Sequence, residues 1–238
     1  MINFEEIGWS VSDSIKILVT KRNFSSKKNF NISFSGKNKY EGTRENIDFL
    51  TDNFLPSKPC FIKQVHGKKV IDLDRKILQS YVADGLVTSK RKQAISILTA
   101  DCMPIVISSL CGSIICVLHV GRKGAELNII ESAFKILKKY NYSFEAWIGP
   151  HISKNHYLID ENIKKKFVNI NKKYEDFFSK ENNNLHMDLS GIATYQLKEN
   201  RVNNVYYSGS CTFKDRKDFY SFRQFPDEKR FGTFVWIE

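Results

Sequence analysis

Ala94-Ile95-Ser96-Ile97-Leu98-Thr99-Ala100-Asp101-Cys102-Met103-Pro104-Ile105-Val106-Ile107-Ser108 is the stretch on which the fold class of this chain turns. Branched residues crowd both ends of it, which predicts strands over 94–99 and 105–108 with a polar turn between them. Working outward, strand-like runs recur at 15–20, 60–65, 69–73, 114–119, 144–148, 205–208 and 231–237. Helical patterns fall between them at 43–54, 125–140, 161–170 and 189–200, with Leu127, Ile130, Phe134 and Leu137 on one face of the second. Asp160 and Asp188 stand where N-caps belong for the last two. The expectation is a mixed α/β (α+β) fold. Only 5 Pro and 12 Gly are spread over the chain and no linker divides it, so residues 1–238 are read as a single domain. The Asn/Lys-rich piece 169–184 reads as a surface loop or a frayed helix end, and no internal repeat is visible.

With 238 residues, 42% hydrophobic and 13% aromatic, the chain can bury a sizeable core and is neither a peptide-sized disulfide scaffold nor disordered. A formal charge of +11 draws phosphates and nucleotides. Its lysines, scattered as well as clustered at 21–28 and 164–166, read as a solvated basic face in preference to a nucleic-acid groove. Five cysteines without CxxC spacing, and a start Met1-Ile2-Asn3-Phe4-Glu5-Glu6 unlike a secretory leader, argue against an exported, disulfide-stapled protein. Apolar runs such as 113–120 are far short of the ~20 residues of a membrane helix. A cytoplasmic protein without a membrane partner is expected. The sequence leaves its oligomeric state open.

Three predicted strands end in a side chain able to bind a metal, followed closely by Gly or Pro: Gln64-Val65-His66-Gly67, Thr99-Ala100-Asp101-Cys102-Met103-Pro104 and Leu118-His119-Val120-Gly121. Two imidazoles and a thiolate are a workable zinc set with a fourth position left open, the pattern of catalytic zinc. Spacing alone only allows this, because no two of the three lie at a zinc-finger or HExxH separation, and a histidine at a strand end is commonly structural. Cys60, Cys111 and Cys116, inside apolar runs, read as inert packing.

Six segments, in order, resemble the motif series of the YfiH-type family, also called laccase-domain or polyphenol oxidase-like, whose members are described as purine nucleoside phosphorylases. They are Lys63-Gln64-Val65-His66-Gly67, Ala83-Asp84-Gly85-Leu86-Val87-Thr88, Thr99 to Ile105, His119-Val120-Gly121-Arg122-Lys123-Gly124, Ile148-Gly149-Pro150-His151-Ile152, and Cys211-Thr212 with Ser221-Phe222-Arg223. The resemblance runs from about residue 20 to the C-terminus. It implies central mixed sheets flanked by helices, in α/β/β/α layers, and a zinc held by His66, Cys102 and His119, with copper as the other candidate metal. It also implies purine nucleoside and phosphate as partners, phosphorolysis of adenosine, inosine and methylthioadenosine-like nucleosides, and deamination of adenosine. An open zinc suits both, since it can activate water for attack at C6 of adenine, while phosphorolysis needs cations for phosphate and a means of stabilising the departing purine.

Asp101 and Cys102 are the candidate catalytic pair, Asp101 as proton carrier or as an anchor behind the metal. Arg22, in a position like the family's T-x-R, is a candidate catalytic and phosphate-contacting residue because guanidinium offers a bidentate fork. Arg223, Lys123 and His151 complete the candidate substrate contacts. Here the chain departs from the family's pattern: Arg122 stands where Trp is usual, Lys123 where Arg is usual, His151 where Cys or a small residue is common, and Gln224 follows Arg223 where a second Arg is common. Three other readings share these residues. One is a Cys-His hydrolase with Cys102 as nucleophile and His119 or His66 as base. The second is a copper-dependent oxidoreductase, although no ligand set for several copper centres is visible. The third is a basic binding protein that has lost turnover.

Overall fold

The computed structural model describes residues 12–25, 27–34, 42–75, 81–227 and 229–238. The N-terminal start read above lies outside them. In chain order the elements are β1 (Ile15–Val19), α1 (Thr43–Asn53), β2 (Val70–Asp72), β3 (Gly85–Thr88), β4 (Ile95–Thr99), β5 (Met103–Ser109), β6 (Ile115–Val120), α2 (Arg122–Glu126) and α3 (Ile129–Leu137). They continue with β7 (Phe144–Ile148), β8 (Leu158–Ile159), α4 (Glu161–Ile170), β9 (Phe178–Glu181), β10 (Asn184–Met187), α5 (Leu189–Glu199), β11 (Val205–Tyr207) and β12 (Phe231–Ile237). A mixed six-stranded sheet runs β11-β7-β5-β6-β3-β2, an antiparallel sheet runs β1-β12-β4, and a small sheet runs β8-β10-β9.

Side-chain alternation along these strands builds the layers. In β5 and β6, Ile105, Ile107, Cys116 and Leu118 pack against Ile130, Phe134 and Ile192 of the helices. Their neighbours Val106, Ile115 and Val117 point the other way, onto Ile95, Ile97, Phe231 and Val235 of the three-stranded sheet. The outer face of that sheet, Leu18, Phe234 and Trp236, is covered by Ile47 and Leu50 of α1 and by Phe24, Phe30 and Ile32. The result is helix, sheet, sheet, helix, the α/β/β/α order expected. Strands buried on both faces must be apolar throughout, and each fully buried Ile, Leu or Phe contributes about 1.5–3 kcal/mol.

Four sequence expectations are corrected. Residues 60–65 form no strand and touch their neighbours through single bridges at Cys60 and Lys63. The Gln64 amide does what a strand would have done: its Nε2 donates to the Leu98 carbonyl and its Oε1 accepts the Leu98 N–H, each at 2.8 Å. The 125–140 pattern is two helices, because Asn128 adopts left-handed φ (54°) and caps the second through the Glu131 N–H. Leu127 is therefore exposed at the break instead of lying on the buried face. Residues 169–184 contain a 3-10 turn, Lys172–Phe177, and the β9–β10 hairpin, closed by Asn182 and Asn183 at φ 47° and 63°. Asparagine tolerates that pair of left-handed residues, which a tight hairpin turn requires. Cys111 is exposed in the β5–β6 turn, not packed. Among the described residues no helix is long and apolar enough to cross a membrane.

Candidate metal centre

Asp84, the residue before β3, organises the site. Fully buried, its carboxylate accepts the backbone N–H groups of Val65 (3.1 Å), His66 (2.9 Å) and Gly67 (2.7 Å). This clamp holds His66 at left-handed φ (58°), a conformation that needs outside support in a residue with a Cβ. Oδ1 of the same carboxylate lies 2.8 Å from Nδ1 of His119, near the end of β6, whose backbone N–H donates to the Asp84 carbonyl. With Nδ1–H directed at the carboxylate, Nε2 carries the lone pair toward the cleft, as in carboxylate–histidine–metal arrangements. Burial works against the charge of Asp84, yet the His119 contact and the Gly67 and Val65 N–H groups together hold its carboxyl below the usual range.

Cys102 lies in the turn between β4 and β5, and Pro104 of β5 stands opposite His119 in the ladder. The ligand atoms of His66, Cys102 and His119 lie within 4.8 Å of one another, close to the span of two bonds of about 2.0–2.3 Å to a shared ion. The two imidazole rings meet edge to face at 4.7 Å. His66 is exposed and His119 buried, so the cluster opens outward on one side. Close approach depends on Gly121: a Cβ there would stand 2.7 Å from Cys102 Sγ and 3.3 Å from His66 Cδ2. Burial alone would raise the Cys102 thiol, but His119 and then His66, by charge and hydrogen bond, bring it down to about 6. Burial likewise opposes an imidazolium at His119, and Cys102 and Asp84 override it, moving that group upward. A thiolate, two nitrogens and an anchoring carboxylate suit zinc or another borderline-soft cation.

Around this cluster the other candidates take distinct places. Asp101, at φ 83°, ties three segments together: its Oδ1 accepts the Thr212 hydroxyl (2.6 Å), its Oδ2 the Arg223 N–H (2.6 Å), and its carbonyl the Ile152 N–H. Both carboxylate oxygens thus brace the Thr212 and Arg223 segments. Arg223 donates from Nη1 to the Leu158 carbonyl and lies over the Tyr157 ring at 5.3 Å. Burial pushes the Tyr157 hydroxyl up to about 12; the Cys102 and Asp101 charges add to the effect while Arg122 and Arg223 oppose it. The Tyr157 hydroxyl therefore stays protonated at neutral pH, its ring beneath the Arg223 guanidinium. His151 turns Nδ1 to the Gly149 carbonyl (2.8 Å), and burial holds its imidazole down in the neutral form. Lys123 is exposed on α2. Arg22 contacts Asn29 and the Arg216 carbonyl and lines a cavity to which none of the three candidate ligands contributes.

Sequence reading missed Asp84, Tyr157 and the bracing amide of Gln64 as parts of the site. Asp84 and Gln64 stand inside quoted motifs, so the signal was present without a role; Tyr157 belongs to none.

A family model described as "Multi-copper polyphenol oxidoreductase laccase" matches residues 16–238. A Haemophilus influenzae protein named purine nucleoside phosphorylase is 26% identical over 97% of this chain and 97% of its own length. A Rickettsia conorii protein, named purine nucleoside phosphorylase RC0672, is 32% identical over 68% of each chain. The crystal structure of Neisseria meningitidis NMB0706 superposes with a TM-score of 0.86, covering 97% of both chains at 22% identity, which bears on the fold. The chain belongs to this laccase-domain family, the YfiH-type family that its six ordered motifs resemble.

Proposed function

We propose that the protein is a zinc-dependent purine nucleoside phosphorylase acting on adenosine, inosine and methylthioadenosine-like nucleosides, with adenosine deamination as a second activity. The carrying observation is the convergence of His66, Cys102 and His119 on one point beside the Asp84 carboxylate, in a chain whose relatives bear that name. In phosphorolysis a phosphate oxygen forms a bond to the anomeric ribose carbon, the bond from that carbon to the purine nitrogen breaks, and the departing base takes up a proton. Bound zinc would supply a Lewis acid at the cleft. Arg223, with Arg122 and Lys123, supplies positive charge for phosphate, and the neutral Tyr157 hydroxyl can donate to an oxyanion or to the leaving base. Asp101 holds Arg223 in place through its backbone N–H, and neutral His151 offers Nε2 to the nucleoside. With five free cysteines, we place the protein in the cytoplasm.

The test is incubation of metal-loaded and chelated protein with inosine or adenosine, with and without phosphate. Phosphate-dependent hypoxanthine or adenine from the loaded form alone is the expected result; no product at high enzyme concentration would defeat the proposal. A thiol hydrolase is favoured by one observation, the Asp84–His119–Cys102 sequence of carboxylate, imidazole and lowered thiol. Turnover that survives metal removal would select it. Copper chemistry with several centres finds little support, since one His/Cys/Asp/Glu cluster of this kind occurs among the described residues.

A further inference from the structure

Behind the segment that carries Arg223 lies a cavity of about 180 Å³, lined in part by Arg22, Tyr220, Ser221, Gln224 and Asp227. It holds an unmet polar group. Tyr220 is only 5% exposed, and among the described residues its hydroxyl has no hydrogen-bond partner. Leaving a buried hydroxyl unsatisfied is costly, and such a group in a native cavity calls for an occupant. The Gln224 side-chain oxygen is likewise buried without a partner.

The donors and charges here fit one class of ligand. Arg22 spends Nε on Asn29 (3.3 Å) and Nη1 on the Arg216 carbonyl (3.4 Å), which fixes the guanidinium over the Tyr220 ring at 5.7 Å and leaves Nη2 for an anion. Ser221 Oγ accepts the Gln224 N–H, so its own proton is free to donate. Burial pushes the Tyr220 hydroxyl up to about 12, with Arg22 opposing and Asp227 adding, so it stays protonated and able to donate. Among the described residues Asp227 is the carboxylate on the lining; it is engaged by the Lys229 N–H (3.1 Å) and faces the Lys229 ammonium at 3.8 Å. Guanidinium and two hydroxyls make a cradle for a tetrahedral oxyanion, whereas the unpartnered Gln224 oxygen asks for a proton donor. Hydrogen phosphate offers both kinds of group; sulfate offers acceptors alone.

We propose that this cavity is a phosphate site separate from the metal centre, with Arg22, Tyr220 and Ser221 donating to phosphate oxygens and Gln224 accepting the phosphate O–H. Phosphate binding there requires no nucleoside turnover. Ser221 lies two residues before Arg223, whose N–H is held by Asp101, so the site shares one turn with the metal cleft. A phosphate bound here stiffens the turn that positions Arg223.

Titration of metal-loaded protein with inorganic phosphate at constant ionic strength, without nucleoside, tests the site. Tyr220→Phe keeps the ring under Arg22 and removes only the unsatisfied hydroxyl, so it folds normally; Arg22→Gln removes the charge. Each should weaken phosphate by about tenfold or more, sulfate should bind more weakly than phosphate, and removing the metal with a chelator should leave this affinity within about twofold. Equal phosphate binding by wild type and both cavity variants would overturn the proposal. So would sulfate binding as tightly as phosphate, or loss of the phosphate signal on metal removal but not in Tyr220→Phe, which would assign the ion to the metal centre.

Discussion

Oδ1 of Asp84 and Nδ1 of His119 lie 2.8 Å apart, both side chains buried, and the same carboxylate gathers the backbone of Val65, His66 and Gly67. One acid therefore orients one candidate ligand directly and another through the chain that carries it. Asp84→Asn should lower metal affinity about 10–100-fold, the usual effect of losing a partner behind a ligand, read by competition with a coloured chelator. Asp84→Ala leaves the three N–H groups and the imidazole unmet and should cost about 3–5 kcal/mol in denaturant unfolding.

Acid should reveal the same contact. The Asp84 carboxyl is held below its ordinary value in the folded protein, so its contribution to stability is complete above about pH 4 and is lost as pH falls through the folded value. Metal-free wild type should lose stability as pH falls below about 4 more steeply than Asp84→Asn, measured by thermal melting on the acid side.

The Cys102 thiol, lowered to about 6 by the two imidazoles, should be mostly thiolate at pH 7.5 in metal-free protein. Its alkylation rate should rise with a midpoint near that value, well below the ~8.5 of a free cysteine. Mass spectrometry after iodoacetamide treatment should show Cys102 protected by added zinc. Exposed Cys111 should label with or without metal, and buried Cys116, its thiol pushed up by burial, in neither state.

Gly121→Ala probes packing against the ligands. Its φ of −90° and ψ of −179° are open to alanine, so the backbone is unstrained, but the new Cβ falls 2.7 Å from Cys102 Sγ. Bound metal by elemental analysis should fall sharply while the melting temperature of the metal-free form shifts little.

Asp101→Asn keeps a residue that tolerates φ 83° and weakens both the Thr212 and Arg223 contacts. If Arg223 serves phosphate, KM for phosphate should rise about 3–10-fold with the nucleoside KM little changed. A fall in kcat alone would instead mark Asp101 as a proton carrier.

Periodicity in the sequence was enough for the branched runs of β4, β5, β6 and β12 and for the Asp-capped helices α4 and α5, because apolar alternation and caps are local signals. It failed at 60–65, where β-forming residues are held irregular by the Gln64 side chain, and at Gly85–Thr88, where a strand buried on both faces shows no alternation. The residue types of the candidate site were equally legible: His66, Cys102 and His119 each stand after an apolar run and just before Gly or Pro, although only the runs at Cys102 and His119 are strands.

Residue order alone supplies the inventory: a chain rich enough in branched and aromatic residues to bury two sheets, and three donors that each follow an apolar run. Folding alone brings these donors together, sets Asp84 as the charge behind them, and places Arg22 on a cavity whose lining does not include Arg223. Those facts are distances between segments far apart in the chain. They are set by how the two sheets pack and where their connecting turns are clamped, and no local pattern of residues encodes them.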